Sequence, residues 1–179
     1  LATIFMAVSM STSIYAQELP KRADIQDKYK WDLTHFYKTD SEFEKDFDAL
    51  KKVLPKYKDF QGKLNSAEML NKCLQFHLDN YKLFSKLIIY TSLAKDVDLN
   101  DGKNQTLNDR ANKLGAELST VASFIEPELL ALPDGKVREF IKANKDLKQY
   151  EHYLESMLRM KAHTLSKEQE KILSMVAPI

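Results

Sequence analysis

Between Ser66 and Asp96 the chain has neither glycine nor proline, and one stripe recurs there at three- and four-residue intervals. It runs Met69, Leu70, Cys73, Leu74, His77, Leu78, Tyr81, Phe84, Leu87, Ile88 and Thr91. That period belongs to a helix and not to a strand. At ~1.5 Å per residue such a helix is ~45 Å long. Ser66 stands where a cap is wanted, just after the turn residue Gly62. Polar residues from Asp98 to Thr106, Gly102 among them, mark a reversal. A third helix then carries Leu107, Ala111, Leu114, Leu118, Val121, Ala122 and Ile125 on its inner side. The two predict a long antiparallel hairpin.

Only 4 Gly and 5 Pro interrupt the 179 residues, which favours helices throughout and an all-α fold. Gln17 to Lys38 reads as irregular, with Pro20 and the aromatics Tyr29, Trp31, Phe36 and Tyr37. Thr39 or Asp40 caps a first helix with Glu42 in its opening turn and Phe43, Phe47, Leu50, Val53 and Leu54 on one face, until Pro55 ends or kinks it. Pro127 suits the first turn of a short helix over Glu128 to Leu132. After Pro133 and Gly135 come an amphipathic stretch, Lys136 to Ala143, and a helix through Leu147, Tyr150, Tyr153, Leu154, Met157 and Leu158. Ser166 and Gln169 offer a capping box for a last helix with Ile172, Leu173 and Val176. Tyr90, Leu93, Phe124 and Leu129 flank the hairpin's main stripe, more than a two-helix surface is expected to bury. No repeat or low-complexity segment is present.

The 27 basic and 26 acidic residues are spread along the chain for a net charge of +1, which gives no concentrated basic face for nucleic acid. Cys73 is the single cysteine, so no internal disulfide can form. Leu1 to Ala16 is uncharged, apolar and then small, and ends at Ile14-Tyr15-Ala16. It reads as a signal-peptide remnant over residues 1–16, too short for a membrane span, and points to export into a periplasm or the medium. A buried N-terminal strand or helix is the alternative.

A helical zinc hydrolase needs two histidines one turn apart, with a glutamate beside the first to activate water. The four histidines here precede Phe36, Leu78, Tyr153 and Thr164, and no two stand three or four residues apart. There is likewise no GxSxG, phosphate loop or CxxC. His77 lies on the inner stripe, where a hydrogen-bonded core histidine is the expected role, against a ligand. Cys73 is expected to be a small buried hydrophobe. Tyr150, His152 and Tyr153 suit either interhelical packing or a peptide-binding surface. Arg159, Lys161 and His163 gather near a helix C-terminus, where the dipole already favours cations, with a contact to a substrate carboxylate as the alternative. Glu151 and Glu155, one turn apart, read as solvated charge. No catalytic, cofactor-binding or metal-binding residue is assigned to this chain.

Several stretches resemble oligoendopeptidase F family proteins. They are Leu19-Pro20-Lys21-Arg22 with Tyr29-Lys30-Trp31-Asp32-Leu33; Phe60-Gln61-Gly62-Lys63-Leu64; and Tyr90-Thr91-Ser92-Leu93 with Asp96 and Asp98. The strongest is Ser123-Phe124-Ile125-Glu126-Pro127-Glu128-Leu129-Leu130-Ala131-Leu132-Pro133, followed by Tyr150 to Glu155, Arg159, Lys161, His163, Leu165, Ser166 and Glu168 to Leu173. The resemblance implies the N-terminal helical region of a larger, bowl-shaped zinc peptidase of the thimet-oligopeptidase type, which admits short peptides through a narrow channel. It implies an irregular segment over 17–38, a helical region over 39–113 and an oligopeptidase F-type helical domain over 114–179, continued by further chain. Zinc would be held by that further chain and not by this segment. The expected partners are the rest of the polypeptide and short peptides, with no nucleic acid and no membrane span. Most members of the family are cytoplasmic, so the signal-like start departs from the pattern. A self-sufficient helical binding or scaffold module remains the alternative.

If Leu1 to Ala16 is a signal remnant, N-terminal sequencing of the exported gene product will find processing near Ala16. Retention of Leu1 to Ala16 in the exported protein would sink that reading.

Overall fold

The computed structural model describes residues 24–99 and 101–161. The proposed signal remnant, His163 and the predicted last helix lie outside them. Two compact units are present, Leu1–Asp32 and Leu33–Ile179. The described part of the first holds the 3-10 turn Asp27–Tyr29, with Lys30 paired to Asp27 at 2.9 Å.

The second unit is helical, and no strand occurs among its described residues. Helix α1, Asp40–Val53, starts where the Thr39 hydroxyl accepts from the Glu42 amide at 3.3 Å, and the Glu42 carboxylate accepts from the Lys38 amide at 2.7 Å. Pro55 follows in a 3-10 stretch, Leu54–Asp59, so the chain turns without stopping. Helix α2 covers Ala67–Val97, capped by Ser66, whose hydroxyl accepts from the Met69 amide at 3.3 Å. Helix α3, Gly102–Ala122, begins earlier than the polar run suggests. The Asp101 carboxylate accepts from the Lys103 amide at 2.8 Å, and this cap draws Gly102 to Thr106 into the helix.

Helix α4 is Ile125–Leu130, not Glu128 to Leu132; Pro127 still lies within the first turn, where no intrahelical amide bond is lost. Helix α5 is Lys136–Ala143. The predicted helix through Leu147 and Leu158 divides into a 3-10 stretch, Lys145–Tyr150, and α6, Glu151–Met160. Asn144, whose side chain accepts from the Asp146 amide at 2.9 Å, starts the tighter turn. The 113/114 boundary falls inside α3, and residues on both sides of it share one core.

That core joins Phe43, Phe47 and Leu50 of α1 to Leu70, Cys73, Leu74 and Leu87 of α2, and to Leu114 and Leu118 of α3. Val137, Phe140, Leu147 and Leu154 extend it through the last helices. The expectation that Tyr90 and Leu129 lack cover is corrected. Leu129 is 1% exposed, and the Tyr90 ring packs 5.0 Å from Tyr37 and 5.6 Å from Phe43. The first helix and the segment before it supply the cover that a hairpin alone lacks.

Two of the family-like stretches meet directly. The Glu128 carboxylate accepts from the Gly62 amide at 2.5 Å and from the Leu64 amide at 3.5 Å, tying α4 to the turn before α2. Gly62 holds φ at 77°, a left-handed value that a side chain disfavours. We expect Glu128→Ala to cost about 1–3 kcal/mol, since charge-assisted bonds are lost at two amides. Gly62→Ala should cost about 1–2 kcal/mol through backbone strain alone. Urea unfolding monitored by circular dichroism measures both, and midpoints unchanged from the parent would refute the tie.

Candidate functional site

The groove of interest opens between the α2–α3 hairpin and the α4 and α6 helices. Along α2, His77, Tyr81 and Phe84 fall at helical spacing and stand in a row, with ring centroids 6.1 and 6.2 Å apart. On α3, Gly115, Leu118 and Ala122 line it, with Glu126 and Leu130 of α4 and Tyr153 of α6. The cavity encloses about 910 Å³, within the range of small-ligand and peptide side-chain sites. A smaller cavity of about 180 Å³ adjoins it, sharing His77, Tyr81 and Tyr153 and adding Leu74, Leu78 and Tyr150.

His77 is part-buried and hydrogen-bonded: its Nδ1 lies 3.0 Å from the Tyr57 hydroxyl, and the rings meet edge to face. Burial pushes the Tyr57 phenol up and the His77 imidazolium down, so both are neutral near neutral pH. The bond therefore joins two neutral groups, and its direction follows the tautomer of the ring. Cys73 is fully buried, and its thiol is pushed up to about 12, first by burial and then by the Glu128 charge. It is an inert core residue.

Tyr150 is buried, and its hydroxyl donates to Gln75 Oε1 at 2.9 Å, so it ties the 3-10 stretch before α6 to α2. Tyr153 is half exposed, and His152 is exposed. Of those three residues, the structure places Tyr153 in the main groove and Tyr150 in the smaller cavity. The basic cluster is dispersed: Arg159 donates to Ser156 at 2.9 Å, while Lys161 pairs with Asp134 at 2.7 Å. Glu151 pairs with Lys148, and Glu155 takes both arms of Arg138 at 2.7 Å, so the two carboxylates serve as surface ion pairs.

No group of three or more His, Cys, Asp or Glu side chains is placed to hold a metal ion among the described residues. No described helix is long and apolar enough to cross a membrane. Sequence reasoning missed Glu126 and Ser119 on the groove; Ser119 stands one turn beyond Gly115 on α3, whereas Glu126 is brought there by α4.

Comparison with known proteins gives the family. Residues 128–179 match the profile of the family described as Oligopeptidase F. The chain is 27% identical over 168 residues to Oligopeptidase PepF of Bacillus subtilis, an alignment that takes in 93% of this chain and 25% of that protein. It is 33% identical to Group B oligopeptidase PepB of Streptococcus agalactiae, across 86% of this chain and 26% of the relative. The crystal structure of oligoendopeptidase-F from Enterococcus faecium superposes with a TM-score of 0.66 at 30% identity, over 75% of this chain and 27% of that one. The chain belongs to the oligoendopeptidase F family, as an N-terminal helical region of it. It spans about a quarter of the length of the relatives it matches.

One consequence of the His77 environment can be measured. Folding favours the neutral imidazole, so as pH falls below 6.5 the unfolded chain takes up a proton before the native state does. Stability conferred by the neutral ring is therefore complete above that pH. It declines between 6.5 and the lowered native value, then levels off. Urea midpoints measured from pH 7.5 down to 5 should fall less steeply in His77→Gln than in the parent; parallel profiles would contradict this.

Proposed function

We propose that this chain is the non-catalytic N-terminal portion of a zinc-dependent oligoendopeptidase and forms part of the wall of the channel through which short peptides reach the catalytic site. The observation that carries the reading is the alignment of nearly the whole chain with proteins named as oligopeptidases. The open apolar groove agrees with it.

The residues present do not fit a zinc site. None of the four histidines is followed by glutamate, and the imidazole nearest the groove, His77, has Nδ1 committed to Tyr57. Zinc, where the complete protein uses it, is held by chain beyond this segment. What these helices contribute is shape and an apolar surface. Their continuous core is also what a self-sufficient binding or scaffold module would require, so folding of the segment alone does not separate the two readings. Export, suggested by Leu1 to Ala16, belongs to the same proposal.

The complete gene product should hydrolyse an internally quenched short peptide, lose that activity to a chelator and regain it with zinc. Residues 1–179 alone should do none of these. A complete product inert toward short peptides, or a segment that cleaves them unaided, would reject the peptidase-wall reading.

A further inference from the structure

The lining of the groove has a chemical bias. Its floor is apolar, from Phe84, Leu118 and Leu130, and its rims are the rings of Tyr81 and Tyr153, 52% and 50% exposed. The chain carries 27 lysines and arginines, yet none lines the groove among the described residues. The ionised group there is Glu126, which makes no hydrogen bond or ion pair with another described residue. Its carboxylate lies near Tyr153, whose phenol is raised by burial and then by that charge.

A long cationic side chain fits this combination better than other peptide groups. Its methylene stem covers apolar surface while its charged head stays at the water boundary. Aromatic rims favour a guanidinium over their faces, and a carboxylate suits its planar fork. A neutral apolar side chain would use the floor but not Glu126, and an acidic one would be repelled.

We propose that the groove binds an arginine side chain of a short peptide, its stem along Phe84 and Leu118 and its guanidinium at Glu126 beside Tyr153. This rests on the peptidase reading and adds to it a substrate class: peptides with an arginine set apart from the bond that is cleaved.

The test uses the complete gene product and two N-acetylated, internally quenched peptides that differ in one position, arginine or glutamine. Acetylation removes the terminal amine as a rival cation. Glu126→Gln should shrink the arginine preference in kcat/KM about fivefold, through KM, the scale of an exposed ion pair. Ser119→Cys should react with a maleimide in the folded protein and be protected by the arginine peptide. An unchanged preference overturns the proposal, and so does an unreactive Ser119→Cys, which would mean that another part of the polypeptide covers the groove. If neither peptide is cleaved, the peptidase reading fails by itself. Fluorescence anisotropy of a labelled arginine peptide then decides the groove: binding about fivefold weaker in Glu126→Gln supports it, and equal binding rejects it.

Discussion

The contact between α2 and α3 sets everything else in the helical unit. At one point the helices come so close that a Cβ built on Gly115 would overlap the Phe84 ring. Glycine in a helix interior costs roughly 1 kcal/mol relative to alanine, so the close approach has to return at least that much in packing. Further along, Asn108 is buried and donates to Thr91 Oγ1 and Ser92 Oγ, each at 3.2 Å, while Asn112 donates to Asn108 Oδ1 at 3.1 Å. Asn104, one turn earlier, donates to the Ala94 carbonyl at 3.2 Å. Apolar stripes alone tolerate sliding. The amides of Asn104 and the buried Asn108 do not, because a shift of one turn would break their bonds to α2. The asparagines fix the register, and Gly115 fixes the distance.

Once that register is set, the groove follows. Phe84 lies over Gly115 and cannot fill the space beyond Leu118, so a trough is left between the hairpin and α4. Glu128 holds α4 to the Gly62 turn, and the 3-10 stretch Leu54–Asp59 brings Tyr57 under His77. Arg110 clamps α3 to α1 through two 2.7 Å bonds to Glu44 and lies 4.5 Å from the Phe47 ring centroid. Elements far apart in sequence thus meet at polar ties placed around an apolar centre.

The apolar period revealed α1, α2 and α5 almost to the residue, because caps and stripes agreed there. Thr39 and Ser66 are capping side chains followed at once by apolar spacing, and Gly135 directly precedes α5. Other features were hidden because their cause is tertiary or a matter of a single turn. Gly102 to Thr106 look like a loop until Asp101 caps them. Lys145–Tyr150 share the apolar spacing of α6, and the Asn144 cap at their start is what winds them into a tighter 3-10 stretch. Leu129 looked surplus to a hairpin because its cover comes from elements outside it. The asparagine ladder was invisible for the opposite reason: polar residues on a helix are read as solvent-facing, and only the partner helix shows that Asn108 faces inward. Glu126 likewise gained meaning only when Tyr153, from a helix far along the chain, was brought beside it.

The chemistry available to these helices is limited by what their groups can change during a reaction. A contact made equally to the bound peptide and to the transition state lowers KM without raising kcat. His77 is held neutral by burial and bonded to Tyr57, Cys73 is sealed with its thiol far from ionisation, and Glu151 and Glu155 are spent on surface cations. None is poised to move a proton or attack a carbonyl. Beside His77, the groove is lined by an apolar floor, two tyrosine rings, the Glu126 carboxylate and the Ser119 and Ser123 hydroxyls. On the proposed reading, selection among peptides can therefore reside in this segment while the bond-breaking groups lie elsewhere in the polypeptide. A separation of this kind lets the groove vary in charge and shape without disturbing the catalytic geometry.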